Sequence, residues 1–304
     1  MGQMGAFDAR RLDAIAVGAL VWDVIGQADG AVAEGADVAG RIRRSPGGVA
    51  MNLAAALVRH GLRTAILAQV GADPEGTALV VAAAGMGVET GWIDPTPDLP
   101  TGQYVAIEAE GRLIGAVADT AGLEAAGARI LSALADGRLG SVSQPYDGIV
   151  AIDGNLPAAV VQAIASSALF QAADLRLCPA SPAKATRLAP LLGHPRATFY
   201  LNLAEASALA GKRLADARGA AQVLVAGGAR RVVVTDGPRA AAEAMAGAAI
   251  LRGVPKPVRV RRVTGAGDAL MAAHIAAEFH GHGRAEAFDT ALAAATAHVT
   301  GDPA

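Results

Sequence analysis

The sequence predicts an α/β protein whose largely parallel sheet is covered by helices on both faces. Apolar runs of strand length recur along the chain, helical patterns separate them, and 53% of the 304 residues are hydrophobic, which is ample for a sizeable core. Residues 15–24 read as the opening strand. The apolar run there follows Arg10 and Arg11 as a signal segment would, but Asp13 and Asp23 bracket it and it falls short of a membrane span. Residues 47–60 read as a helix stopped by Gly61, 64–70 as a strand and 75–86 as a second helix. Short apolar runs at 148–152, 175–178, 198–201 and 231–235 are further strands, and 157–170, 182–191 and 214–226 are the helical patterns between them. Helices at 266–280 and 284–299 close the chain.

Two segments break the rhythm. Residues 24–44, and 101–117 with a turn at Glu110 and Gly111, read as antiparallel strands forming a small β lid. Both return to the main sheet and no linker divides the sequence, so residues 1–304 are expected to form a single domain. The alanine-rich tracts near 125, 220, 241 and 291 read as helix- and core-compatible filler.

Composition narrows the chemistry. A net charge of −2, a pI near 6.3 and 3% aromatic residues argue against nucleic acid or an anionic membrane as partner. The single cysteine, Cys178, excludes an intrachain disulfide and a cysteine-rich zinc cluster, which makes a reducing, cytoplasmic setting the default. His280 and His282 flank Gly281 without a third ligand in sequence and read as a loop rather than a metal site. AGKR at Ala210 lacks the spacing of a Walker loop, and no GxGxxG turn follows the first strand.

Three blocks carry the functional signal. RVTGAGDALMAA, residues 262–273, puts a glycine-rich turn before a carboxylate and an apolar helix. Gly265, Ala266 and Gly267 can present N–H groups to an anion, and Asp268 in the first turn can face the same space, its helix-start position favouring the ionised form. An aspartate that merely caps the helix fits these residues equally. In SPGGVAMNLAAALVRHG, residues 45–61, Gly47 and Gly48 permit close ligand approach, and Asn52 offers both donor and acceptor to sugar hydroxyls. In GALVWDVIG, residues 18–26, Asp23 ends an apolar strand, where open α/β sheets place ligands.

PGGVAMN followed in order by TGAGDA resembles the PfkB family of carbohydrate and nucleoside kinases, with its ribokinase-like three-layer α/β/α fold. TGQYVAIEAEGRLIGAVAD from Thr101, DGNLP from Asp153 and YLNLAEASALAG from Tyr200 look like the pseudouridine-kinase branch. The resemblance implies ATP and Mg2+ as cofactors, Asp268 as base, and Gly265, Ala266 and Gly267 as the anion hole. It implies that Asp23, Gly47, Gly48 and Asn52 hold the ribose, and that Gln103 and the lid strands choose the base or sugar. Asn202 and Glu205, spaced NxxE, would order magnesium and the nucleotide phosphates, Glu205 indirectly through water; the same pair also fits a capping box. Thr235 and Gly237 would receive the nucleotide. Arg262 stands where the family carries Asp or Asn, which puts monovalent-cation activation in doubt. The expected reaction is phosphorylation of a nucleoside ribose 5′-hydroxyl, with ribose or another sugar as the alternative acceptor and a non-catalytic sensor as the alternative class. An unpaired lid edge predicts a homodimer.

Overall fold

A computed structural model describes residues 12–110, 112–261 and 263–301. Arg10, Arg11, Gly111 and Arg262, which entered the sequence reading, lie outside the described residues. In chain order the elements are β1 (Ala14–Val17), β2 (Val21–Ala28), β3 (Gly40–Gly47), α1 (Val49–Arg59), β4 (Thr64–Leu67), β5 (Gln69–Gly71), α2 (Pro74–Gly85), β6 (Asp94–Thr96), β7 (Gln103–Ala109), β8 (Arg112–Asp119), α3 (Ala121–Ala126) and α4 (Ser132–Ala135). There follow β9 (Ile149–Asp153), α5 (Ala158–Ser166), β10 (Asp174–Cys178), α6 (Pro182–Ala185), β11 (Ala197–Asn202), α7 (Leu203–Leu209), α8 (Ala217–Ala226), β12 (Arg231–Thr235), β13 (Ala241–Met245), β14 (Leu251–Gly253), α9 (Ala266–Phe279) and α10 (Arg284–Thr300).

Among the described residues the main sheet has eight strands in the order β14-β13-β12-β11-β10-β9-β1-β4. The run from β4 to β12 is parallel throughout, and β13 and β14 continue it antiparallel. Side-chain alternation explains the layers. Ile15, Val17, Val150 and Ile152 face one way, into a core shared with α5 and α8, while Ala14 and Ala151 face the other, under α1 and α9. A second sheet, β3-β2-β7-β8, is built from the two segments that interrupt the α/β rhythm. β2 pairs antiparallel with β3 and parallel with β7, and β7 pairs antiparallel with β8.

Several boundaries differ from the sequence reading. The strand expected over 15–24 is two strands: Gly18 has φ 148°, and a Cβ there would lie 2.3 Å from the Asp153 carboxyl carbon, so the chain bends around that buried group. The run 64–70 also divides, β4 joining the main sheet and β5 pairing with β6. The helix expected over 157–170 stops at Ser166, and 182–191 becomes the short α6 followed by a 3₁₀ turn containing Pro190. The tract near 241 is no filler: AAEAM forms β13 and brings the fully buried Glu243 into the sheet.

Candidate active site

The candidate site is organised by the start of α9. Its cap residue, Gly265, has φ 87°, a left-handed conformation, and no side chain caps the helix. The preceding loop is pinned by His298, whose Nε2 lies 2.8 Å from the Thr264 carbonyl oxygen. Ala266 N–H donates to the Val263 carbonyl at 3.1 Å, which takes it out of the expected trio of anion-hole amides. Among the described residues the N–H groups of Gly267 and Asp268 have no backbone acceptor, and a Cβ built on Gly267 would meet nothing within 4 Å. Open space above unsatisfied donors at a positive helix end fits a phosphate group.

Asp268 sits in that first turn, half-buried, with Asn52 Nδ2 3.5 Å from its Oδ2. Burial is the largest influence and pushes its carboxyl up to about 7; the Asn52 contact pulls it down, and the negative charges of Asp153, Glu205 and Asp23 push it further up. The helix start is expected to favour the ionised form; loss of water and like charge act against that tendency and raise the carboxyl. Asp23 rises to about 6, through burial.

On the acceptor side, Asp23 in β2 lies against the Gly47–Gly48 turn. A Cβ on Gly47 would fall 2.1 Å from the Asp23 carboxyl carbon, so only glycine fits beside this carboxylate. Gly48, at φ 91°, packs on the Ala19 carbonyl and opens α1, which carries Asn52. Gln103 falls elsewhere. The register sets it beside Trp22, on the opposite face of the second sheet from Asp23, and sets Tyr104 beside Asp23 instead.

On the other flank, Asn202 and Glu205 make both bonds of a capping box: Asn202 Oδ1 accepts the Glu205 N–H at 2.9 Å, and Glu205 Oε2 accepts the Asn202 N–H at 2.8 Å. The structural reading of NxxE is thus realised, yet Glu205 also adds its charge to the field at Asp268, and burial raises its own pKa. Thr235 ends β12 directly beside Asn202, and Gly237, at φ 58°, turns the chain there with open space around it. Among the described residues no three His, Cys, Asp or Glu side chains gather as an ion cage. One carboxylate working through water suits magnesium, which keeps its hydration and leans on phosphate oxygens.

The residue that sequence reasoning missed is Asp153. It ends β9, is 1% exposed, and its Oδ2 accepts the N–H groups of Ala19 at 2.9 Å and Ala50 at 3.0 Å, while Oδ1 accepts that of Asn155 at 2.7 Å. One buried carboxylate thus ties the approach to Asp23 to the start of α1. An aspartate before glycine at the end of an apolar strand is the signal that could have found it. The same loop receives Lys184, whose Nζ donates to Asn155 Oδ1.

Comparison with known proteins agrees with the fold. A carbohydrate kinase from Agrobacterium tumefaciens superposes with a TM-score of 0.77 at 29% identity, covering 95% of this chain and 91% of that one. Ribokinase from Arabidopsis thaliana, solved with ribose and ATP, gives 0.76 at 21% identity, over 95% and 93%. Phosphofructokinase-2 from Escherichia coli gives 0.75 at 21%, also over 95% and 93%. The last two show the ribokinase-like fold. No curated protein sequence matches the chain. The pfkB family carbohydrate kinase profile matches residues 11–302, nearly the whole length, and the chain belongs to that family of sugar phosphotransferases.

Proposed function

We propose that this sugar kinase transfers the γ-phosphoryl group of ATP to the ribose 5′-hydroxyl of a nucleoside, with pseudouridine as the first substrate to test. The observation that carries the reading is the surroundings of Asp268: an uncapped helix start supplies N–H donors beside it, Asn52 touches its carboxylate, and the charge of Asp23 acts on it. Asp23 and Asn52 hold ribose hydroxyls, Gly47 lets the ring approach, and Asp268 accepts the proton of the attacking oxygen. The amides of Gly267 and Asp268 hold the oxygens of the moving phosphoryl group. ATP with Mg2+ supplies the phosphoryl group and the charge neutralisation that its transfer requires. Thr235 and Gly237 receive the nucleotide, and Glu205 orders the magnesium through water. Its half-protonated range near pH 7 suits Asp268 to a base that works late, once transfer has made the hydroxyl acidic.

The second sheet serves as a lid over the acceptor, and its exposed edges are covered by a second copy in a homodimer. The protein works in the cytoplasm; no helix among the described residues is long and apolar enough to cross a membrane. A panel of pseudouridine, uridine, adenosine, ribose and other sugars, incubated with ATP and Mg2+ and scored by ADP release and by the position of the new phosphate, tests the reading. Transfer to the 5′-oxygen of pseudouridine is the expected result. Exclusive use of a free sugar would replace the acceptor and leave the chemistry; no transfer to any acceptor, with nucleotide still bound, would favour a sensor.

A further inference from the structure

The lid sheet can be read row by row outward from Asp23. Cα partners share a face, so Asp23 stands with Ser45 and Tyr104, Ile25 with Arg43 and Ala106, and Gln27 with Arg41 and Glu108. Arg43 donates from its NH2 to Gln27 Oε1 at 2.9 Å, which fixes both side chains on this face. The opposite face is already spoken for at its inner end: Trp22 donates to the Glu75 carbonyl of α2, and the Arg44 guanidinium stacks 4.0 Å above the Trp22 ring. The Asp23 face is thus the one turned to the acceptor.

The second row differs from the first in chemistry. Ile25 is half-buried, Ala106 is sunk beside it at 2% exposure, and Ala116 of β8, the Cα partner of Ala106, is exposed beyond. Ile25 and Ala116 therefore leave apolar surface open on this row, with Arg43 beside Ile25. The row lies two residues beyond Asp23, roughly 7 Å along the strand. That is too far for a pentose held at Asp23 to fill, and about where the ring of a nucleoside would lie. The charges on this face decide the kind of ring: Asp23 and Glu108 balance Arg41 and Arg43, so a neutral group with oxygen acceptors fits better than an anionic substituent.

Resting on the nucleoside reading above, we propose that this row is a nucleobase shelf, the ring lying on Ile25 and Ala116 while Arg43, steadied by Gln27, donates to a ring carbonyl. Arg43 is a specificity-determining residue that never meets the reacting atoms. The test is steady-state kinetics of the full-length enzyme with pseudouridine and with adenosine, whose base has no carbonyl, each measured as substrate or competitor. Arg43→Ala is expected to raise KM for pseudouridine roughly ten- to hundredfold, the range of a hydrogen bond from a charged donor, with kcat little changed. The constant for adenosine moves far less, and Arg43→Lys recovers part of the loss. An unchanged pseudouridine KM in Arg43→Ala, or equal losses for both nucleosides, overturns the assignment while nucleoside kinase activity stands. A wild-type enzyme that phosphorylates ribose and no nucleoside overturns the reading beneath it, and the shelf with it.

Discussion

Asn52 and Asp268, 216 residues apart in sequence, meet with 3.5 Å between the amide nitrogen and the carboxylate oxygen, joining the helix behind the glycine pair to the helix behind GAGD. The contact is long for a hydrogen bond and holds the Asp268 carboxylate loosely. Asn52 therefore has capacity left for an acceptor hydroxyl.

Replacing Asp268 with Asn removes the proton acceptor and keeps the shape. Turnover is expected to fall by roughly 10²- to 10⁴-fold while nucleotide binding, followed by titration of a fluorescent ATP analogue, is retained. Transfer at more than a third of the wild-type rate would exclude Asp268 as the base.

The same variant should be more stable than the parent at pH 8. Asp268 has a folded-state pKa of about 7 against an ordinary aspartate value of 3.8, so between those values the folded chain holds the proton more tightly than the unfolded one. Its contribution to stability accordingly declines as pH rises through that window and is lowest above it. Thermal melts at pH 8 are expected to show Asp268→Asn melting at least about 2 °C higher. A lower melting temperature would contradict the cost assigned to this buried charge.

The rate itself should respond to the same titration. The kcat/KM profile of the wild type is expected to fall on the acid side with an apparent pKa near 7, from protonation of Asp268 in the free enzyme. A limb placed near 4 would mean that burial does not govern this carboxyl.

Gly47 has no room for a methyl group beside Asp23. Gly47→Ala is expected to raise KM for the acceptor at least about tenfold by displacing the Asp23 carboxylate, while KM for ATP holds. Equal changes in both constants would point to general misfolding instead.

A second buried network has the opposite pH signature. Glu243, 0% exposed, accepts from Arg231 at 2.8 Å and Arg284 at 2.5 Å, and His274 Nε2 lies 3.3 Å away. Burial alone would push its carboxyl up, but His274 and the two arginines win and hold it at about 2. The stability this gives is complete above the ordinary glutamate pKa and is lost as pH falls toward 2. Glu243→Gln, which leaves buried cations undercompensated, should cost about 3–5 kcal/mol in urea unfolding at pH 7 and proportionately less at pH 3.

Much of the parallel sheet was legible because β9, β11 and β12 carry short apolar runs and β10 is interrupted only by Arg176, a pattern set by burial on both faces. What escaped depended on partners distant in sequence. Nothing local says that Gly18 must bend around Asp153, or that an alanine tract at 241–245 is a strand held between β12 and β14 whose one glutamate is neutralised by Arg231 and Arg284. The motifs located Asp23, the glycine pair, Asn52 and Asp268. They could not show that Ala266 spends its N–H on Val263, or that a one-residue offset in strand pairing gives Tyr104 the place expected for Gln103. The raised pKa of Asp268 is equally non-local: burial contributes most, and three of the charges acting on it arrive from β2, β9 and α7.

Asp153 bears on how the chain is made. The N–H groups of Ala19 and Ala50 wait for an acceptor that follows them by 134 and 103 residues. A nascent polypeptide leaving the ribosome carries its glycine pair and Asn52 long before the group that fastens them has been synthesised. Limited digestion of arrested translation products should find residues 12–50 cleavable until β9 has emerged, and protected once the remaining parallel strands dock.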